Sequence, residues 1–275
     1  MTITAADVNK LRQVTGSGMM DCKNALVEAN GDFEAAIDIL RKKGQKIAAK
    51  RGDRSANEGV ILAKTAEDNT YGVIAMLNCE TDFVGKTEDF TNLASTIVDH
   101  AIENRIQTLE SLKESVLNGK TVDALLLEMT SKTGEKIELN QFSFVETPFV
   151  TYYNHNGNRL AALVGFNKKI GNIEVGREIA MQIAAMNPIA IDEKSVAQDV
   201  IDRELTIARE QVINEGKPEH MIDKIAQGKL NRFFKENTLL HQDFIKDSKK
   251  TVAQYMAEVD KELACNEFVR FQLGA

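Results

Sequence analysis

The run Val73-Ile74-Ala75-Met76-Leu77 has no polar face. A strand turns successive side chains to opposite sides. A segment apolar at every position therefore has to be covered on both, as the central strand of a sheet between two layers. Gly59-Val60-Ile61-Leu62-Ala63-Lys64 and a polar turn around Asp68-Asn69 precede it, so it is the return strand of a hairpin over residues 58–78. Helical patterns follow, one carrying Phe90, Leu93, Ala94, Ile97, Val98 and Ala101 and one over 122–129, and a strand over 137–145 closes the unit.

The same order then recurs. Phe149-Val150-Thr151-Tyr152-Tyr153, the turn Asn154-His155-Asn156-Gly157 and an apolar return strand over 160–166 make a second hairpin. A helix with Val175, Ile179, Ala180, Ile183 and Ala184 ends at Asn187-Pro188. A helix over 252–263 and a strand over 268–273 complete the unit. This predicts an α+β fold with two related three-stranded antiparallel units, at 55–146 and 147–275, each sheet backed by helices on one face. The second carries an insertion at about 195–236. Ile201, Leu205, Ala208 and Val212 repeat at 4-3-4 spacing, a short coiled-coil seam, and Gly216-Lys217-Pro218 turns the chain into a return stripe of Met221, Ile222, Ile225, Leu230 and Phe233. Two such helices form an antiparallel finger roughly 25 Å long at 1.5 Å per residue.

Before the first hairpin, residues 4–43 read as three short helices. Thr4 and Asp7 form a capping box ahead of Val8, Leu11 and Val14. Thr15-Gly16-Ser17-Gly18 breaks that helix, and the second carries Met19, Cys22, Leu26 and Ala29 at helical spacing. Asn30-Gly31 ends it in left-handed fashion, and Asp32 caps a third with Phe33, Ala36, Ile37 and Leu40 inside. A basic run over 41–54 follows, a partly helical linker that reads as a solvated connector or as a docking strip. Residues 1–54 thus form a three-helix domain with its linker.

Charge and cysteine usage narrow the function classes. Residues 1–57 hold 10 Lys/Arg against 7 Asp/Glu, a balance of +3 that leaves −10 for the rest of a chain whose total is −7. So acidic a main part is a poor surface for phosphates, and nucleic acid is not an expected direct partner. Cys22, Cys79 and Cys265 are scattered and odd in number, which fits a reducing cytoplasm. No secretory pattern opens the chain and no apolar run approaches about 18 residues, so no membrane partner is expected.

The stretch Asn78-Cys79-Glu80-Thr81-Asp82-Phe83-Val84-Gly85-Lys86 joins the central strand to the next helix and sets an acid beside an aromatic. Phe83 is either a packing staple at a helix start or a contact on a functional loop. There is no P-loop, GxGxxG after a strand, GxSxG or HExxH. His100, His155, His220 and His241 are never at metal-ligand spacing. Cys79 beside Glu80 could serve as a nucleophile, but a thiol at a strand end is ordinarily buried.

Two long motifs resemble one family. Leu11-Arg12-Gln13-Val14-Thr15-Gly16-Ser17-Gly18-Met19-Met20-Asp21-Cys22-Lys23-Asn24-Ala25-Leu26 with Glu28-Ala29-Asn30-Gly31-Asp32 resembles the opening signature of the translation elongation factor Ts family. Asn78 through Val84 carries its Thr-Asp-Phe-Val motif, and the likeness runs to Phe268-Val269-Arg270-Phe271. The resemblance implies a small three-helix UBA-like (ubiquitin-associated-like) N-terminal domain, a two-subdomain core and a helical finger. It implies a cytoplasmic guanine-nucleotide exchange factor for elongation factor Tu that makes and breaks no bond and needs no cofactor.

By the same resemblance, Thr81, Asp82, Phe83 and Val84 enter the GTPase. Phe83 wedges between helices, Asp82 disturbs the network holding Mg²⁺, and the GTPase loses its grip on the phosphates. Met19, Met20 and His155 are implied secondary contacts. From spacing alone at least one methionine reads equally as core, and a turn histidine as merely solvated. In some relatives the finger pairs with another copy. Others continue past the closing strand into a helix that reaches the partner, a contact not carried over to a sequence ending at Gly274-Ala275. From the residues alone two other classes stay open: a peptide-binding adaptor using the N-terminal helices, and an enzyme using Cys79 and Glu80.

Overall fold

The computed structural model describes residues 3–274. Three helices come first: α1 (Ala5–Thr15), α2 (Met19–Glu28) and α3 (Phe33–Arg51). The Thr4–Asp7 capping box forms, Gly16 ends α1 in the left-handed region, and Asp32 caps α3 by accepting from the Ala35 N–H. Val8, Leu11, Cys22, Ala25, Leu26, Ala36 and Leu40 make a separate small core, with Phe33 and Ile37 packed at its margin. Two expected core positions lie outside it. Val14 and Met19 are exposed, because the faces of α1 and α2 that close the core run through Leu11 and through Cys22, Ala25 and Leu26.

The basic run is no free connector. It continues α3 unbroken to Arg51. Gly44 is buried there, where a Cβ would lie 3.0 Å from that of Ser131 on a later helix.

Next come β1 (Glu58–Thr65), β2 (Tyr71–Cys79), the single turn α4 (Asp82–Gly85), α5 (Glu88–Glu103) and α6 (Leu109–Glu114). A two-stranded ribbon, β3 (Val116–Leu117) with β4 (Lys120–Thr121), leads into α7 (Val122–Thr133) and β5 (Glu138–Glu146). The sheet order is β1-β2-β5, all antiparallel, and every residue of central β2 is buried.

The second sheet is built from β6 (Phe149–Asn154), β7 (Leu160–Phe166) and a closing strand, β10 (Cys265–Gln272), with β7 central. Between β7 and β10 lie α8 (Ile173–Met186), α9 (Gln198–Asn214), α10 (Ile222–Asn237), a second ribbon of β8 (Asp243–Phe244) with β9 (Asp247–Thr251), and α11 (Val252–Val259). The last helix stops short of the expected residue 263, and the closing strand begins at Cys265 rather than 268.

Each sheet is backed by its own helices. Phe90, Ile97, Val98, Leu112 and Leu126 cover the first, and Val175, Ile179, Ile183 and Met256 cover the second. The opposite faces meet each other: Ile61, Ile74 and Met76 of the first sheet pack on Val150, Ala161 and Leu163 of the second. That contact explains why both return strands are apolar on both sides.

The ribbons extend the internal repeat. Lys120-Thr121-Val122 and Lys250-Thr251-Val252 occupy equivalent places. Thr121 and Thr251 cap the helices that follow, accepting from the Ala124 and Gln254 N–H groups. Lys120 pairs with Glu128 and Lys250 with Glu258, eight residues on in each case.

Helices α9 and α10 pack together through Ala208, Val212, Ala226 and Leu230, tied by Arg209–Asp223 and Lys229–Glu215. Met221, expected in the return stripe, is instead exposed at the turn, and the small Ala226 fills the seam.

Candidate functional site

β2 delivers the chain to α4 through Asn78, Cys79, Glu80 and Thr81, and each of the last three is held in place. The Cys79 thiol is buried and donates to the Thr81 carbonyl at 3.0 Å. Burial, helped by the nearby charges of Glu135 and Glu58, pushes it up to about 12. Glu80 accepts from Arg51 at 2.7 Å on both oxygens, from Arg54 at 3.2 Å and from the Lys136 N–H at 2.7 Å. Burial alone would raise its carboxyl, but the Lys136 N–H and the Arg51 guanidinium outweigh that and hold it below the usual range. A thiol kept protonated beside a fully engaged carboxylate offers neither nucleophile nor base.

Thr81 is the N-cap of α4, its hydroxyl accepting from the Val84 N–H. Its own N–H and hydroxyl donate to the two carboxylate oxygens of Glu135, at 3.0 and 2.7 Å. The two segments brace each other: Glu80 takes the N–H of Lys136, and Glu135 takes that of Thr81. Beneath the turn Val84 packs on the first core. Gly59, at φ +142°, is close enough to the Leu77 carbonyl that a Cβ would lie 2.0 Å from it, so β1 admits only glycine where Gly85 settles.

Phe83 points outward from this mount and is 80% exposed, the most exposed large apolar side chain among the described residues. The staple reading is therefore excluded. Asp82, beside it, pairs with Lys86 one turn on, and that hydrogen bond holds its carboxyl below the ordinary value.

The other expected site residues are held by contacts of their own. His155 is exposed in the β6–β7 turn, its Nδ1 3.0 Å from the Tyr153 hydroxyl. That turn is fixed to β1: the Asn154 side chain bonds the N–H and carbonyl of Ala63 at 2.8 and 2.9 Å, and the Asn158 carbonyl accepts from Ile61. Arg159 of the same turn pairs with Glu58, the strand neighbour of Cys79, and its charge reaches Asp82. On the other flank, the stem of Lys132 lies beside Gly16 while its ammonium pairs with Asp89 in the first turn of α5. Met19 and Met20, just past that loop, are 52% and 63% exposed, so neither is core.

Sequence reasoning missed Glu135, and it considered Glu80 only beside Cys79 as part of an enzyme site. Lys86 was legible as the i+4 partner of Asp82, and the basic run contained Arg51 and Arg54 without showing what they meet. Among the described residues no cluster of His, Cys, Asp and Glu is placed to hold a metal ion, and no helix is long and apolar enough to cross a membrane.

Fold and site together define the class: an α+β protein of two repeated antiparallel sheet units presenting a braced apolar tip to solvent. A family model described as Elongation factor TS matches residues 80–275. Proteins named Elongation factor Ts are similar over the full length. That of Christiangramia forsetii is 52% identical over 273 residues, 99% of each chain, and that of Flavobacterium psychrophilum 51% over 274, again 99% of each. That of Bacteroides thetaiotaomicron is 40% identical over 332 residues, covering 100% of both. The chain belongs to the elongation factor Ts family.

Proposed function

We propose that this chain is a guanine-nucleotide exchange factor for elongation factor Tu, a cytoplasmic protein that binds the GDP form and speeds nucleotide release without itself making or breaking a bond. Family membership supports the partner, and the exposure of Phe83 on a braced mount carries the choice of working residue. Phe83 enters the GTPase as a rigid apolar anchor, the type of side chain that dominates interface energetics. Asp82 follows once it leaves Lys86, an exposed pair that separates at little cost. Thr81 and Val84 hold the turn while Asp82 and Phe83 disturb the groups that keep Mg²⁺ and the phosphates.

Nucleotide with Mg²⁺ orders the switch segments of a GTPase. A factor favouring a conformer that holds nucleotide poorly is itself weakened by nucleotide to the same degree. GDP leaves, GTP reloads, and GTP dissociates the complex.

In this reading residues 1–54 are a UBA-like domain and linker, 55–146 and 147–275 the two core subdomains, and about 195–236 an antiparallel coiled-coil hairpin. Met19 and Met20 on one flank and His155 on the other make secondary contacts with the GTPase. The hairpin is a surface for self-association, and neither nucleic acid nor membrane is a direct partner.

The test is release of a fluorescent GDP from the cognate GTPase. Stoichiometric protein should raise the rate severalfold or more, and an unchanged rate would end the proposal.

A further inference from the structure

A four-residue helix has no second turn to propagate, so its single turn bears the whole nucleation penalty and needs support from outside. For α4 the core supports one side through Val84, and the hydrogen-bonded support at its N-terminus comes from 54 residues away. The internal cap is long, 3.4 Å from the Val84 N–H to the Thr81 hydroxyl, whereas Glu135 bonds that hydroxyl at 2.7 Å and the Thr81 N–H at 3.0 Å. Glu135 follows Gly134, the left-handed cap of α7, and its own N–H is tied to the Thr133 hydroxyl at 3.2 Å. Its backbone is thus anchored to a helix end. Among the described residues its carboxylate makes no ion pair within 4.0 Å, and its hydrogen bonds go to Thr81. A carboxylate on the surface would ordinarily be left to water or matched to a cation. This one is directed at the root of the tip.

We infer that Glu135 is a positioning residue for nucleotide exchange. It fixes the α4 turn so that Phe83 meets the GTPase already oriented, an inference resting on the exchange function proposed above. Ordering the turn before docking removes that entropic cost from the encounter. Without the brace only a fraction of docked molecules would hold the tip in its working orientation. The flanking contacts of Met19, Met20 and His155 would still form. Loss of Glu135 therefore lowers the maximal exchange rate more than it raises the concentration of factor giving half that rate.

The experiment has two arms, both on the full chain. In the first, Glu135→Ala should lower the maximal rate about tenfold, a barrier change of about 1.4 kcal/mol, with the half-saturating concentration changed less than about twofold. Glu135→Gln keeps one acceptor for the Thr81 hydroxyl and should recover part of the loss. In the second, Phe83→Trp gives a chain otherwise lacking tryptophan a single reporter at the tip. Adding Glu135→Ala should bring fast local motion into its time-resolved anisotropy without lowering the melting temperature of the whole protein by more than a few degrees.

An unaltered maximal rate, unaltered tip anisotropy, or a rate loss explained by a general fall in melting temperature would overturn the assignment. If the parent protein fails to release GDP at all, the exchange reading falls by itself, and the anisotropy arm still decides whether Glu135 sets the tip.

Discussion

Arg51, the last residue of α3, donates to both carboxylate oxygens of Glu80 at 2.7 Å, tying the end of the N-terminal helices to the root of the exposed turn. Glu80 is titrated below its ordinary range by that partner and by the Lys136 N–H, both acting against its burial. A carboxylate with a depressed folded value stabilises the fold in full above its unfolded value of about 4.3. That stabilisation is lost as pH falls through the unfolded value to the folded one. Glu80→Gln should therefore melt below wild type at pH 7, by about 1–3 kcal/mol for lost charge-assisted hydrogen bonds. The gap should close as pH is lowered from about 5 toward 3, across the carboxylate range. Thermal melts across that range check it, and a gap that widened in acid would contradict the assignment.

Phe83 contributes almost nothing to its own fold, being 80% exposed. Phe83→Ala should leave the melting temperature within about 2 °C of wild type, as surface substitutions generally do. Exchange should fall by at least about 10-fold, as truncation of an interface anchor costs about 2 kcal/mol or more. A stable variant with undiminished exchange would remove the wedge role.

Met19 and Met20 start α2 and are both open to solvent. Replacing both with alanine should not alter stability. It should raise the half-saturating concentration of factor by about 3–10-fold while leaving the maximal rate nearly intact, the pattern expected when uniform binding is removed. Titrating exchange rate against factor concentration separates the two parameters.

Cys79 is buried, with its thiol pushed up to about 12. At pH 8 it should stay unmodified by a thiol-specific reagent in the folded protein and react once the chain is denatured, because the thiolate is the reactive species. Rapid modification of Cys79 in the native state would reopen a nucleophilic role.

How far the sequence could be read varies with the range of the interaction. Caps were legible because donor and acceptor lie within four residues: Thr4 with Asp7, and Asp32 with Ala35, formed as read. Asp82 and Lys86 belong to the same class. The matching Lys-Thr-Val segments before α7 and α11, each with a glutamate at the same distance, were also present in the sequence and would have strengthened the repeat. Helix faces were read less well. Val14 and Met19 fit their periodicities yet stand exposed, since periodicity gives a stripe's spacing and not its width.

The chain's own sequence settled the alternation of strands and helices, the two-sided burial of its central strands and the family to which it belongs. These depend on neighbours along the chain or on long motifs. Only the tertiary structure decided that Phe83 faces water, that Arg51 reaches Glu80 and that Glu135 holds Thr81. A carboxylate in a turn has the same local sequence whether it is solvated or bonded. Its partner is set by where distant loops are carried, here by α7 delivering Gly134 and Glu135 to the end of β2.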